Sequence, residues 1–116
     1  MIKVIVVDDE RFVRMGIVGE TDWASLGCEV VGEAENGLDA LELVHKKNPD
    51  LMICDIRMPK MNGLEMLKKL REEKNPVQVI FLTAYSEFSY AREALKLYAF
   101  DYLLKPFEDG ELESAI

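Results

Sequence analysis

The sequence predicts an α/β domain in which five short strands alternate with helices, a (βα)5 doubly wound, five-stranded parallel sheet. Three observations predict it. Apolar runs suited to strands recur at Ile2–Val7, Cys28–Gly32, Leu51–Cys54, Val77–Leu82 and Phe100–Leu104. Several of these are apolar at consecutive positions, the pattern of strands covered on both faces. Between them lie longer stretches whose apolar residues return at helical spacing. The 116 residues suit a single domain spanning 1–116, and 49% hydrophobic with 31% charged residues is a globular composition.

The first strand, Ile2–Val7, runs directly into Asp8, Asp9 and Glu10. The helix that follows has an untidy apolar face of Phe12, Val13, Met15, Gly16 and Ile17, and Glu10 reads as an acid of its first turn. Trp23 in "ETDWASLG" covers the core beneath the loop that leads to the second strand, Cys28–Gly32, which ends near Glu33. Asn36-Gly37 opens a second helix with Leu38, Leu41 and Val44 or His45 on one face. His45 is the sole histidine and reads as a surface residue. The third strand, Leu51–Cys54, ends at Asp55.

Asn62, with Glu65 three residues later, has the spacing of a capping box opening a third helix through Leu64, Leu67 and Leu70. Met58, Met61 and Met66 supply adaptable packing beside it. The fourth strand, Val77–Leu82, delivers Thr83, and Ser86 caps a fourth helix with Phe88, Ala91, Leu95 and Tyr98 inward. Tyr90, Leu97 and Tyr98 could leave apolar surface there suited to dimerisation. The fifth strand, Phe100–Leu104, leads to Lys105 and Pro106. The segment "EDGELESAI" then starts a last helix that reads as truncated, with a continuation expected beyond Ile116.

With 22 acidic against 14 basic residues and a net charge of -8, the domain repels nucleic-acid phosphates and anionic membranes, so no direct nucleic-acid binding is expected. The apolar start is shorter than the 7–15 residues or so of a signal core and far short of the roughly 20 of a membrane span, so a cytoplasmic protein is expected. Cys28 and Cys54 belong to no ligand-spaced cluster and read as buried reduced thiols. No GxGxxG or GxxxxGK[ST] supplies a nucleotide-phosphate cradle.

Sites in open α/β sheets gather at the carboxyl ends of the strands. There the sequence places Asp8 and Asp9, Glu33, Asp55, Thr83 and Lys105. Singly, each has an ordinary reading: Asp8 or Asp9 as a helix cap, Asp55 as a loop acid, Thr83 as a helix-initiating hydroxyl, Lys105 as a solvated charge. Together they do not, because clustered carboxylates repel unless a cation intervenes. Oxygen-only acidic ligands select a hard cation, and few protein ligands plus water suit Mg2+. With Lys105 added, the site suits a transferred phosphoryl group, for which a carboxylate can serve as nucleophile.

The set Asp8, Asp9, Asp55, Thr83 and Lys105-Pro106 resembles the receiver domain of two-component response regulators over nearly the whole chain. The stretches "DWASLGCEVVGEAENG" and "LTAYSEFSYAREALKL" are similar to receivers that precede an AraC-type helix-turn-helix output domain. The resemblance implies a flavodoxin-like strand order 2-1-3-4-5 and a role for each residue. Asp55 is then the phospho-acceptor. Asp8, Asp9, Asp55 and the Arg57 backbone carbonyl hold Mg2+. Thr83 and Lys105 bind phosphoryl oxygens, Pro106 follows a cis peptide, and Thr83 with Tyr102 forms the switch. The implied partners are a sensor histidine kinase and, on activation, a second copy of the chain, through the face of the fourth helix, fifth strand and fifth helix.

Tyr98 departs from the family pattern, which commonly has glycine there. The Arg57 side chain, two residues past Asp55, reads equally as a group that biases dephosphorylation or contacts Glu10 and as a solvated residue. A signalling domain rather than an enzyme is expected. A Mg2+-dependent phosphohydrolase working through an aspartyl phosphate, a free-standing receiver shuttle and a degenerate interaction module are the alternatives.

Overall fold

Strands and helices alternate along the chain in a computed structural model that describes residues 1–84 and 101–105, with 83–84 and 101–105 as backbone. The elements are β1 (Ile2–Val7), α1 (Arg11–Glu20), a 3-10 turn at Ala24–Leu26, β2 (Cys28–Ala34), α2 (Gly37–Lys47), β3 (Leu51–Asp55), α3 (Gly63–Glu72), β4 (Gln78–Ala84) and β5 (Asp101–Lys105). The strands form one sheet in the order β2-β1-β3-β4-β5, all pairs parallel. This is the doubly wound fold and strand order expected.

The consecutive apolar positions have a simple geometric reading. Alternate side chains of a strand point to opposite faces. Val4, Val6, Leu51, Ile53, Ile80 and Leu82 pack on the α1 face with Ile17 and Trp23. Ile5, Val7, Met52, Cys54, Val79 and Phe81 pack on the opposite face with Val44, Leu67 and Leu70 of α2 and α3. Both faces are covered, so neither parity can be polar.

Four of the five strands depart from their expected bounds. β2 continues two residues past Gly32 to Ala34, β3 includes Asp55, β4 is Gln78–Ala84 rather than Val77–Leu82, and β5 is Asp101–Lys105 rather than Phe100–Leu104. Hydrophobicity marks where a strand is buried, whereas the backbone ladder continues through polar residues as long as a neighbour pairs. The β1–β2 register also jumps from Val4↔Val30 to Ile5↔Gly32, a bulge that leaves Val31 as the extra residue.

α2 and α3 begin as the sequence implies. Asn62 Oδ1 accepts from the Glu65 N–H at 2.8 Å while Glu65 Oε1 accepts from the Asn62 N–H at 3.2 Å, closing the capping box. Asn36 accepts from the Asp39 N–H at 2.9 Å and caps α2. Leu38 is an exception to its expected place: it is 45% exposed, and α2 buries Ala40 and Val44 instead. On α1, Ile17 is buried, whereas Phe12 is 85% exposed. Trp23 is buried as expected and donates Nε1 to the Val18 carbonyl at 3.2 Å. Both cysteines are free and buried, and burial raises the Cys28 thiol pKa.

Arg71 fastens α3 to the start of β4. Its Nη1 donates to the Asn75 and Val77 carbonyls at 2.9 and 3.0 Å, and burial lowers the guanidinium pKa. Arg71→Met keeps most of the aliphatic stem but strands both carbonyls. It is expected to lower stability by about 1–3 kcal/mol, read as an earlier urea midpoint at unchanged slope.

Candidate functional site

β1 and β3 are neighbours in register Val7↔Cys54, so the residues that follow, Asp8 and Asp55, stand side by side at the carboxyl edge of the sheet. Asp8 is fully buried and Asp55 is 6% exposed, while Asp9 and Glu10 face solvent. One oxygen from each of Asp8, Asp9, Glu10 and Asp55 lies within 4.8 Å of the other three. Four carboxylates thus converge on one small volume.

The backbone holds Asp8 firmly. Its N–H donates to the Ala34 carbonyl at 3.1 Å, extending the β1–β2 ladder by one residue. Its Oδ1 accepts from the Glu10 N–H at 2.9 Å, and its carbonyl accepts from Arg14 Nη1 at 2.6 Å. Asp55 is placed by β3, and the chain beyond it folds back sharply. Gly63 N–H donates to the Ile56 carbonyl at 2.7 Å, and Met61 N–H donates to the Pro59 carbonyl at 2.7 Å across Lys60, whose φ is +66°. Gly37 N–H then ties the start of α2 to the Met61 carbonyl at 2.9 Å.

Two glycines permit that packing. A Cβ on Gly63 would sit 2.6 Å from the Asp55 carbonyl oxygen and 2.8 Å from a Phe81 ring carbon. On Gly37 it would sit 2.5 Å from the Met61 carbonyl oxygen. The loop and Asp9 border an open cleft of ≈ 380 Å³ lined by Asp9, Ile56, Arg57, Met58 and Asn62.

Two sequence expectations change here. Glu10 is the N-cap residue of α1 rather than an acid of its first turn, and its side chain makes no capping bond. It belongs to the carboxylate cluster instead. Glu33 lies outside that cluster. Its Oε1 stands 3.4 Å from Arg14 Nε, because β2 pairs on the side of β1 away from β3. Arg14, which the sequence pattern did not single out, is the residue that joins the two.

Asp55 pairs with Leu82, so Thr83 is the next residue along β4; Thr83 pairs with Leu104 and Ala84 with Lys105. The backbones of Thr83 and Lys105 therefore reach the same edge as Asp8 and Asp55. Tyr102 pairs with Phe81, farther from that edge. Pro106 and the cis peptide expected before it, Ser86, Tyr90, Leu97, Tyr98 and the last two expected helices lie outside the described residues. His45 is remote from the cluster by role as well as sequence: its Nε2 meets Glu73 Oε1 at 2.6 Å, joining the exposed ends of α2 and α3. Among the described residues, no helix is long and apolar enough to cross a membrane.

The donor set fits a small hard cation. All four ligand atoms are carboxylate oxygens, the donor type that such a cation prefers.

The family model of the response regulator receiver domain matches residues 4–116. The chain belongs to that family. Curated relatives include the uncharacterized transcriptional regulatory protein YesN of Bacillus subtilis, 40% identical across 100% of this chain and 32% of its own length. The transcriptional regulatory protein BtsR of Escherichia coli K12 is 42% identical across 100% of this chain and 47% of its own. This receiver domain thus spans about a third to a half of the curated relatives it matches. Among solved structures, the receiver domain of AraT, a response regulator from Geobacillus stearothermophilus, superposes with a TM-score of 0.90 at 44% identity, covering 97% of this chain and 87% of that one. A two-component transcriptional regulator AraC from Clostridium phytofermentans superposes at 0.84 with 28% identity, covering 99% and 88%. The chain is therefore a receiver domain of a two-component response regulator whose relatives are transcriptional regulators.

Proposed function

We propose that this receiver takes a phosphoryl group onto Asp55 from the phosphohistidine of a sensor histidine kinase, with Mg2+ as cofactor, and thereby controls a transcriptional output. The observation that carries this reading is the convergence of the Asp8, Asp9, Glu10 and Asp55 carboxylates within 4.8 Å beside an open cleft. A carboxylate oxygen of Asp55 attacks phosphorus, the phosphorus–nitrogen bond of the donor breaks, and the electron pair returns to the donor imidazole. Asp8, Asp9, Asp55 and the Arg57 carbonyl hold the cation. Bound there, Mg2+ supplies neutralising charge to the phosphoryl oxygens. Lys105 and Thr83 bind two of those oxygens, the residue pair Lys105-Pro106 is joined by a cis peptide, and Thr83 and Tyr102 form the switch.

Phosphorylation adds about -1.5 to -2 charges to the edge of the sheet. That change biases the face of the fourth helix, fifth strand and fifth helix, where two copies pair on activation. Residues 1–116 act as one cytoplasmic receiver unit that leaves DNA contact to an AraC-type output domain. The relatives named as transcriptional regulators support that assignment, as does the net charge of -8. The domain is a signalling switch rather than an enzyme on external substrates.

Incubation with acetyl phosphate tests the reading. One phosphoryl group per chain is expected by mass spectrometry when Mg2+ is present, and none when the metal is chelated. Labelling that ignores chelation, or sustained turnover of phosphoesters, would overturn it.

A further inference from the structure

Arg14 occupies a place the chemistry above does not use. It sits one turn into α1, with its side chain only 15% exposed. Among the described residues its polar partners are the Asp8 carbonyl, at 2.6 Å from Nη1, and Glu33, whose Oε1 is 3.4 Å from Nε. The Nε is buried without an aligned hydrogen-bond acceptor, so the fork is aimed at Asp8 more closely than at Glu33. The contact reaches the Asp8 main chain and not its carboxylate.

That choice of atom has a geometric result. The Asp8 N–H is already fixed by the Ala34 carbonyl at 3.1 Å. Arg14 fixes the other peptide, the one between Asp8 and Asp9. With both peptides held, the backbone torsions of Asp8 are set, and the Glu10 N–H then pins its carboxylate at 2.9 Å. The peptide held by Arg14 also leads into Asp9, so the contact bears on the backbone from which two of the four converging carboxylates project.

We infer that Arg14 is a positioning residue for the cation site, working through the Asp8–Asp9 peptide. This rests on the metal-dependent reading of the site given above. The inference separates from a simple electrostatic role by sign. A nearby positive charge opposes cation binding, so removal of Arg14 acting by charge alone tightens Mg2+ binding. Removal of an outer residue that orients ligands weakens it.

The test is calorimetric titration of the domain with Mg2+ alone, for the parent, Arg14→Met, Arg14→Lys and Glu33→Gln, with thermal unfolding in chelator to establish that each variant is folded. Arg14→Met is expected to weaken Mg2+ binding roughly tenfold. Arg14→Lys keeps the charge and one point donor, and is expected to recover only part of the loss. Glu33→Gln, which keeps Arg14 in place, is expected to remain within about twofold of the parent. A folded Arg14→Met that binds Mg2+ as tightly as the parent, or more tightly, overturns the inference. If Arg14→Met does not fold, Arg14→Lys decides alone, and parental affinity in it overturns the inference too. A parent domain that binds no Mg2+ overturns the metal-dependent function as well, which distinguishes the two failures.

Discussion

Asp55→Asn should take up no phosphoryl group from acetyl phosphate above background, under conditions in which the parent is labelled fully. The substitution is nearly isosteric, so the packing around a side chain that is 6% exposed is retained. What changes is chemistry. A carboxamide nitrogen or oxygen does not form the acyl phosphate that a carboxylate forms, and the cluster loses one of its four negative charges. Thermal unfolding in chelator establishes that the variant is folded. The pair of results matters. A folded, unlabelled variant assigns the phosphoryl group to Asp55, whereas labelling at the parental level sends it to another residue.

Gly63→Ala should damage both stability and labelling. The new methyl would meet the Asp55 carbonyl oxygen at 2.6 Å and a ring carbon of fully buried Phe81 at 2.8 Å. Neither is the free end of a flexible chain, so the loop after β3 must move and carry Asp55 with it. Overpacking of this kind costs about 1–3 kcal/mol, to be read from the urea midpoint. The rate of labelling by acetyl phosphate should fall as well, since misplacement of a reacting group by about 1 Å can lower a rate some hundredfold. Gly19→Ala is the matched control. It lies in α1 with nothing within 4 Å of the added carbon. There the helix gains about 0.5–1 kcal/mol from the change. Equal behaviour of the two variants would refute the close-packing account of the site loop.

The fold was legible because both parities of β1, β3 and β4 are apolar, which leaves a two-sided sheet as the one arrangement that buries them. The capping box at Asn62 and Glu65 was equally plain, since it is a local pattern with a local cause. Asp8 and Asp55 could be brought together from the sequence because parallel strands put their following residues on one edge. Glu10 and Glu33 could not be sorted that way. Whether an acid at a strand end joins the cluster depends on which side of β1 its strand lies, and on the angle at which α1 leaves. Arg14 was invisible for a related reason: its partner is a main-chain carbonyl, and no side-chain pattern announces a bond to the backbone. Exposure of Phe12 and Leu38 likewise follows from how each helix is rotated on the sheet, which helical spacing alone leaves open.

The two buried acids come from strands that are adjacent in the sheet but separated in the chain by β2, α2 and the connections between them. In the unfolded chain Asp8 and Asp55 are far apart and fully hydrated, and nothing there gathers four acids into one place. Asp8, Asp9 and Glu10 are chain neighbours in any state, but their convergence with Asp55 is a property of the native state alone. On the proposed metal-dependent reading, a divalent ion held by these acids would favour the folded molecule, which alone brings Asp55 to the other three. By mass action, such an ion at a hundred times its dissociation constant adds about 2.7 kcal/mol to folding. On that reading, the free cation concentration of the surroundings would then help to set how firmly the domain is folded.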